Sequence, residues 1–212
     1  DFARVQELTF DPRGKMLAAA VQGTAKLSLI DVSRGGLAGE IPLAGAARHV
    51  TALSFGPQGA TVAVGSSGQV LVYDVAGRKL QKTIALKSFF PQRVAFSPDG
   101  TLVGATGNSW AAIASGDDLS PEDPFPDDAG MATSLVLHDI ATGSRLHAAP
   151  AHATRSSNLA FVGEGKMILT SSADGTMRLW GVKTAASGAK VEKPKKPEKA
   201  EKSGKSGKKP PV

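Results

Sequence analysis

The sequence predicts an all-β fold assembled from repeated copies of one short-stranded unit. Two observations carry this: a single pattern recurs four times along the chain, and no segment shows sustained helical periodicity. The copies read VQELTFDPRGKMLAAA, VTALSFGPQGATVAVG, QRVAFSPDGTLVGAT and SNLAFVGEGKMILTS. Each opens with an alternating apolar strand that ends in Phe (Phe10, Phe55, Phe96, Phe161). A turn rich in Gly, Pro and Asp follows, where Pro presets φ and Gly supplies positive φ, and then a second short apolar strand.

A third strand continues each unit: KLSLIDV, QVLVYDV, SLVLHDI and MRLWGV. Three of these end in Asp followed by an aliphatic residue (Asp31, Asp74, Asp139). A fourth strand is expected after the first three, around LAGEIPL, KLQKTIAL and RLHAAP. The four Phe residues are spaced 45, 41 and 65 residues apart. The first two spacings match the period of roughly 40–45 residues of a four-stranded propeller blade, and the third is stretched by an insertion. A β-sandwich also strings short strands between turns, but it does not reuse one sequence pattern unit after unit.

In its last unit the chain closely resembles a WD repeat, through HATRSSNLAFVGEGKMILTSSADGTMRLWGV, and FSPDGTLVGATG is similar to that family's turn. The resemblance covers nearly all of residues 4–182 and implies a WD-type β-propeller with four blades, part of a larger ring. It also implies a buried hydrogen-bonded tetrad, with His152, Thr170, Asp174 and Trp180 in its four roles. The chemistry is sound on its own terms, since a buried indole N–H, imidazole and hydroxyl need partners and a carboxylate accepts from several donors. The other units depart from the pattern: the Trp position holds Ile30, Tyr73 and His138, and Thr24 and Ser67 replace the turn Asp in the first two.

The repeats are expected at about 4–43, 49–86, 92–150 and 152–182, making one propeller unit over 1–182, with an acidic insert at about 108–133 and a tail at 183–212. The insert carries Asp117, Asp118, Glu122, Asp123, Asp127 and Asp128 without a Lys or Arg, and adds Trp110 and Phe125. Loops this long are uncommon unless functional or disordered. It reads as a solvated acidic loop or as contact residues for a basic partner, with the two aromatics as anchors. Calcium is a third option, but EF-hand spacing and its central Gly are missing. The insert is expected beside the loops around Arg48–His49 and Lys87–Gln92.

The chain has a formal net charge of +6, but the charge is unevenly placed. Residues 183–212 hold ten Lys and three Glu, whereas 1–182 hold fifteen Lys and Arg against sixteen Asp and Glu. The tail is Lys/Pro-rich, too polar to offset ordering entropy, and is expected to be disordered. With neither aromatic nor Arg it has no means of reading bases, so an anionic partner would be held non-specifically.

Cysteine is absent, which excludes disulfides and thiolate chemistry. No run of 18 apolar residues suggests a membrane-spanning helix. The scattered histidines show no metal-ligand spacing, and no G-x-S-x-G elbow supports a nucleophile, so neither a metal, a cofactor nor an enzyme is expected. Nothing fixes the compartment, and a soluble cytoplasmic protein is the default.

The expected function is a scaffold that binds partner proteins through propeller loops and faces. The alternatives are the β-propeller domain of a larger enzyme and an anion- or nucleic-acid-binding protein acting through its tail. A propeller enzyme would need polar groups converging on the central channel, but the inner-strand segments LTF, LSF, VAF and LAF carry no repeated charge. Four blades at ordinary geometry leave an open arc, so further blades are expected from upstream sequence or another chain. MRLWGV running into the tail also leaves the last blade without a fourth strand.

Overall fold

The computed structural model describes residues 4–44, 49–66, 68–86, 89–109, 133–183 and 190–192, among which there is no helix. The first sheet contains β1 (Val5–Phe10), β2 (Met16–Val21), β3 (Lys26–Asp31) and β4 (Gly36–Pro42). The second contains β5 (Val50–Phe55), β6 (Thr61–Ser66), β7 (Gln69–Asp74) and β8 (Lys79–Ala85). The third contains β9 (Phe89–Phe96), β10 (Leu102–Ser109), β11 (Thr133–Asp139) and β12 (Arg145–His152). The fourth contains β13 (Ser156–Val162), β14 (Met167–Ser172), β15 (Met177–Lys183) and β16 (Lys190–Glu192). Each sheet is an antiparallel meander in chain order, the form of a propeller blade.

The backbone repeats as faithfully as the sequence does. In blades 1, 2 and 4 the first strand pairs with the second through a register shift at its start, between Val5 and Glu7, Val50 and Ala52, and Ser156 and Asn158. In blades 1–3 the third and fourth strands slip just before the turn, at Leu29/Ile30, Val72/Tyr73 and Leu137/His138. Such shifts increase local twist and bend a strand. In the first turn of blades 1–3, Gly14, Gly59 and Gly100 hold φ of 66°, 74° and 73°, a conformation that costs a side-chain-bearing residue about 1 kcal/mol or more.

Blades stack face to face, and three buried cores lie between them. The first joins Ala18, Leu27, Leu29 and Ile41 to Phe55, Val62, Leu71 and Tyr73. The second joins Ala63, Val70, Val72 and Ile84 to Val94, Val103 and Val136. The third joins Leu135, Leu137 and Ala151 to Leu159, Ile168 and Trp180. Central strands are therefore covered on both faces, which is why VAV, VLV and LVL are continuously apolar; outer strands such as β8 are mostly exposed. Each such Val, Leu or Ile contributes about 1.5–3 kcal/mol when fully buried.

Inner strands pack in sequence, β1 on β5, β5 on β9 and β9 on β13, while β13 does not pack on β1 in this way. The blades form an open arc.

Two expectations need correction. The last blade does have a fourth strand: β16 pairs with β15 through Gly181↔Glu192, Val182↔Val191 and Lys183↔Lys190. Residues 190–192 lie in the segment whose composition predicts a disordered tail. The reason is that the exposed edge of β15 offers a row of unpaired N–H and C=O groups, and three residues of nearby backbone satisfy it. Likewise the β10–β11 ladder runs out to Asn108↔Thr133, so residues 108, 109 and 133 belong to strands and not to the insert.

Candidate functional site

The strongest polar constellation sits where blade 3 hands over to blade 4. His152 ends β12, Thr170 lies in β14, Asp174 in the turn after it, and Trp180 in β15. Trp180 Nε1 donates to Thr170 Oγ1 at 2.9 Å, and His152 Nε2 lies 2.9 Å from that same oxygen. His152 Nδ1 is 2.9 Å from Thr176 Oγ1, whose hydroxyl donates to Asp174 Oδ1 at 2.6 Å. Asp174 also accepts from the Thr176 and Ala153 backbone N–H groups at 2.9 and 3.1 Å.

These contacts assign every proton. The Thr176 hydroxyl is spent on the carboxylate, so His152 Nδ1 is the donor to Thr176; Nε2 then accepts from the Thr170 hydroxyl. The chain runs Trp180 → Thr170 → His152 → Thr176 → Asp174. Burial lowers the His152 pKa, with the Asp174 charge opposing that shift, and keeps the ring neutral. The Thr176 hydroxyl and two backbone N–H groups hold the Asp174 carboxyl at about 2. Thr170 is fully buried with its proton committed, so this histidine–hydroxyl pair has no free nucleophile to offer.

Asp174 does not reach His152 by a hydrogen bond: the atoms are 3.6 Å apart, and Thr176 stands between them. Thr176 was not singled out from sequence. The available signal was its place two residues after a turn Asp, where hydroxyls commonly bond the carboxylate.

A second polar string follows the inner strands. Gln92 Nε2 donates to Asn108 Oδ1 at 2.8 Å, and the Ser156 N–H donates to Gln92 Oε1 at 3.0 Å. Arg93 Nε donates to the Ser157 carbonyl at 2.9 Å, and Arg93 Nη1 lies 3.8 Å from Glu7 Oε1 across the arc. Burial raises the Glu7 pKa, while Arg93 and Arg155 pull it back. The inner strands thus carry charge that the LTF, LSF, VAF and LAF segments did not reveal.

The remaining sequence-selected residues, Trp110, Asp117, Asp118, Glu122, Asp123, Phe125, Asp127 and Asp128, lie outside the described residues. What is described is their root: strands β10 and β11 end side by side at Asn108↔Thr133. Beside it, Gly107 and Asn108 pair with Pro91 and Phe90 of β9. A Cβ at position 107 would meet the Phe90 carbonyl oxygen at 1.8 Å, so only glycine permits this approach. Among the described residues no His, Asp or Glu side chains cluster as a metal site, and no helix is long and apolar enough to cross a membrane.

Residues 43–74 and 142–181 match the family model described as WD domain, G-beta repeat. The second match contains all of His152, Thr170, Asp174, Thr176 and Trp180. No curated protein matches the chain.

Proposed function

We propose that this chain, a WD-repeat protein built from β-propeller blades, is a non-catalytic scaffold that holds partner proteins, with the acidic insert as a principal contact. WD repeats generally mediate protein–protein contact. The observation that carries the finer reading is the root of the insert. Two adjacent strand ends, locked in register at Asn108↔Thr133, return residues 110–132 to one point on a blade that is packed on both faces. A rigid platform lowers the ordering cost that binding imposes on a contact loop. Six carboxylates without a basic residue select a basic surface, and Trp110 and Phe125 are of the type that anchors interfaces.

The test is affinity capture with the full chain and with a variant carrying Asp117→Asn, Asp118→Asn, Glu122→Gln, Asp123→Asn, Asp127→Asn and Asp128→Asn. The expected result is loss of salt-sensitive partners with an unchanged thermal melt. Retention of the same partners at the same salt would overturn the role of the insert and leave the blade faces as the binding surface.

A further inference from the structure

We infer that the junction of blades 1 and 2 carries a docking pocket for the last residue of a partner protein, an apolar side chain together with its free α-carboxylate. The pocket has a volume of about 330 Å³. Its floor is Met16, Leu29 and Val75, which continue the first core outward. Its mouth is formed by the exposed Ala60, Ala76 and Arg78.

Arg78 stands where the neighbouring blades have glycine. Four residues after the strand-end Asp31, Asp74 and Asp139, the chain holds Gly35 at φ 61°, Arg78 at 54° and Gly143 at 78°. A residue with a side chain is strained there, and such strain clusters at ligand clamps. The guanidinium is also left with donors to offer. Nη2 donates to the Ala38 carbonyl at 3.0 Å, and among the described residues Arg78 has no carboxylate partner. The carboxylates of the flanking turns are engaged within those turns. Asp11 accepts from the Arg13, Lys15 and Met16 N–H groups, and Asp74 from the Gly77 N–H and the Gln81 amide. Arg78 thus offers a carboxylate a charged, planar fork at the rim of an apolar floor.

The next junction has the same place closed. Gly39 pairs with Leu29 as Lys82 pairs with Val72, so the two positions are equivalent. A Cβ at Gly39 would lie 2.3 Å from the Arg78 guanidinium. Lys82 instead reaches across from blade 2, passes Gly143 and donates to the Ala141 carbonyl at 2.6 Å. Cation and glycine have exchanged sides. Where lysine crosses the gap it is bridged, and where Gly39 leaves it open the cation stands at its rim.

Floor and cation share one small pocket, so the apolar group and the carboxylate must lie close together. On the last residue of a chain both leave one Cα. The exposed mouth cannot enclose most of a free small molecule, as ligand cavities do, but it can take one side chain while the rest of the partner lies outside. The pocket lies at the end of the blades opposite the root of the acidic insert. Thr133 at that root and Asp139, the equivalent of Asp74, are the two ends of β11. The two sites therefore stand or fall separately.

The experiment is methyl NMR of the full chain with isotope-labelled methionine, titrated with acetylglycyl-leucine, with its amide, and with acetylglycyl-leucyl-glutamyl-glycinamide. The Met16 methyl is expected to shift with the acid while Met167 and Met177 of blade 4 do not. The acid should bind at least about tenfold more tightly than the amide, the worth of one hydrogen bond to a charged group. Arg78→Gly should abolish that preference with an unchanged far-UV spectrum, since glycine takes positive φ freely. No Met16 response to the acid, equal shifts at all three methionines, or equal binding of acid and amide would each overturn the inference. So would a preference that survives Arg78→Gly. Tighter binding of the glutamyl peptide than of the acid would overturn the chain terminus as occupant in favour of an internal acidic segment.

Discussion

Blades 2 and 4 solve the same junction in opposite ways. In both, the residue entering the preceding blade's core from the third strand is a large aromatic, Tyr73 or Trp180, each 1% exposed. In blade 4 the aromatic donates into a five-residue polar chain ending on Asp174, and His152 brings the preceding blade's last strand into it. In blade 2 the position matching Thr170 is Val64, fully buried, and the polar link shrinks to one bond: the Ala44 N–H donates to Tyr73 Oη at 2.8 Å. Ala44 follows β4, so this bond also ties the preceding blade to the next. Apolar stacking is common to both blades, which makes it the term that sets blade geometry. The polar chain adds a latch, and its length varies from blade to blade.

The largest blow to this comparison is Trp180→Ala. It removes the aromatic from the third core and takes the indole donor from Thr170 Oγ1, at an expected cost of about 3–5 kcal/mol. Urea melts of variant and wild type measure it. A midpoint equal to wild type would mean that neither the core nor the latch of blade 4 matters to the stability of the arc.

Blade 3 sharpens the comparison through pH, because a histidine, His138, fills the aromatic's place. Burial, with Arg145 adding to it, lowers its pKa to about 4. The unfolded value is near 6.5, so as pH falls the unfolded chain takes the proton first and stability is lost. The loss begins near pH 6.5, runs down to about 4, and totals about 3 kcal/mol. His152, lowered by the same cause, adds to the slope in this window. Melts at pH 7.5 and 4.5 should therefore differ less for His138→Phe than for wild type. An identical pH dependence in the two proteins would place the sensitivity elsewhere.

Much of this architecture is legible in the residues because the repeat is written in short-range terms. A Phe-ending strand, a Pro/Gly turn and an apolar third strand each declare themselves within a few residues. The meeting of His152, Thr170, Asp174 and Trp180 is anticipated by the resemblance of the last unit to a WD repeat, and not by the pattern that all four units share. What was missed depends on partners far away in sequence or on a rotamer. Thr176 enters the latch only because its hydroxyl turns toward Asp174. Strand β16 exists because β15 leaves an edge open, and nothing in Lys190–Glu192 alone announces a strand. The Glu7–Arg93 pair spans two blades, and the Ala44–Tyr73 bond joins residues 29 apart. Asp31 and Asp139 are an intermediate case. They were visible as strand ends, while their role appears only with the turns they hold, through Ser33, Arg34 and Thr142.

The smallest predicted effect, Tyr73→Phe, tests how little latch a blade requires. The phenyl ring keeps the packing against Leu27, Leu29 and Ile41, so no cavity opens in the first core. Only the bond from the Ala44 N–H is lost, and a net hydrogen bond is worth about 0.5–1.5 kcal/mol. Ala44 is exposed, so water can take over its N–H and the loss should sit at the lower end of that range. The urea midpoint should fall slightly with the slope unchanged, since the same surface is exposed on unfolding. A loss approaching that of Trp180→Ala would mean that a single bond to backbone carries as much as the five-residue chain. Blades 2 and 4 would then differ in composition but not in dependence on the latch.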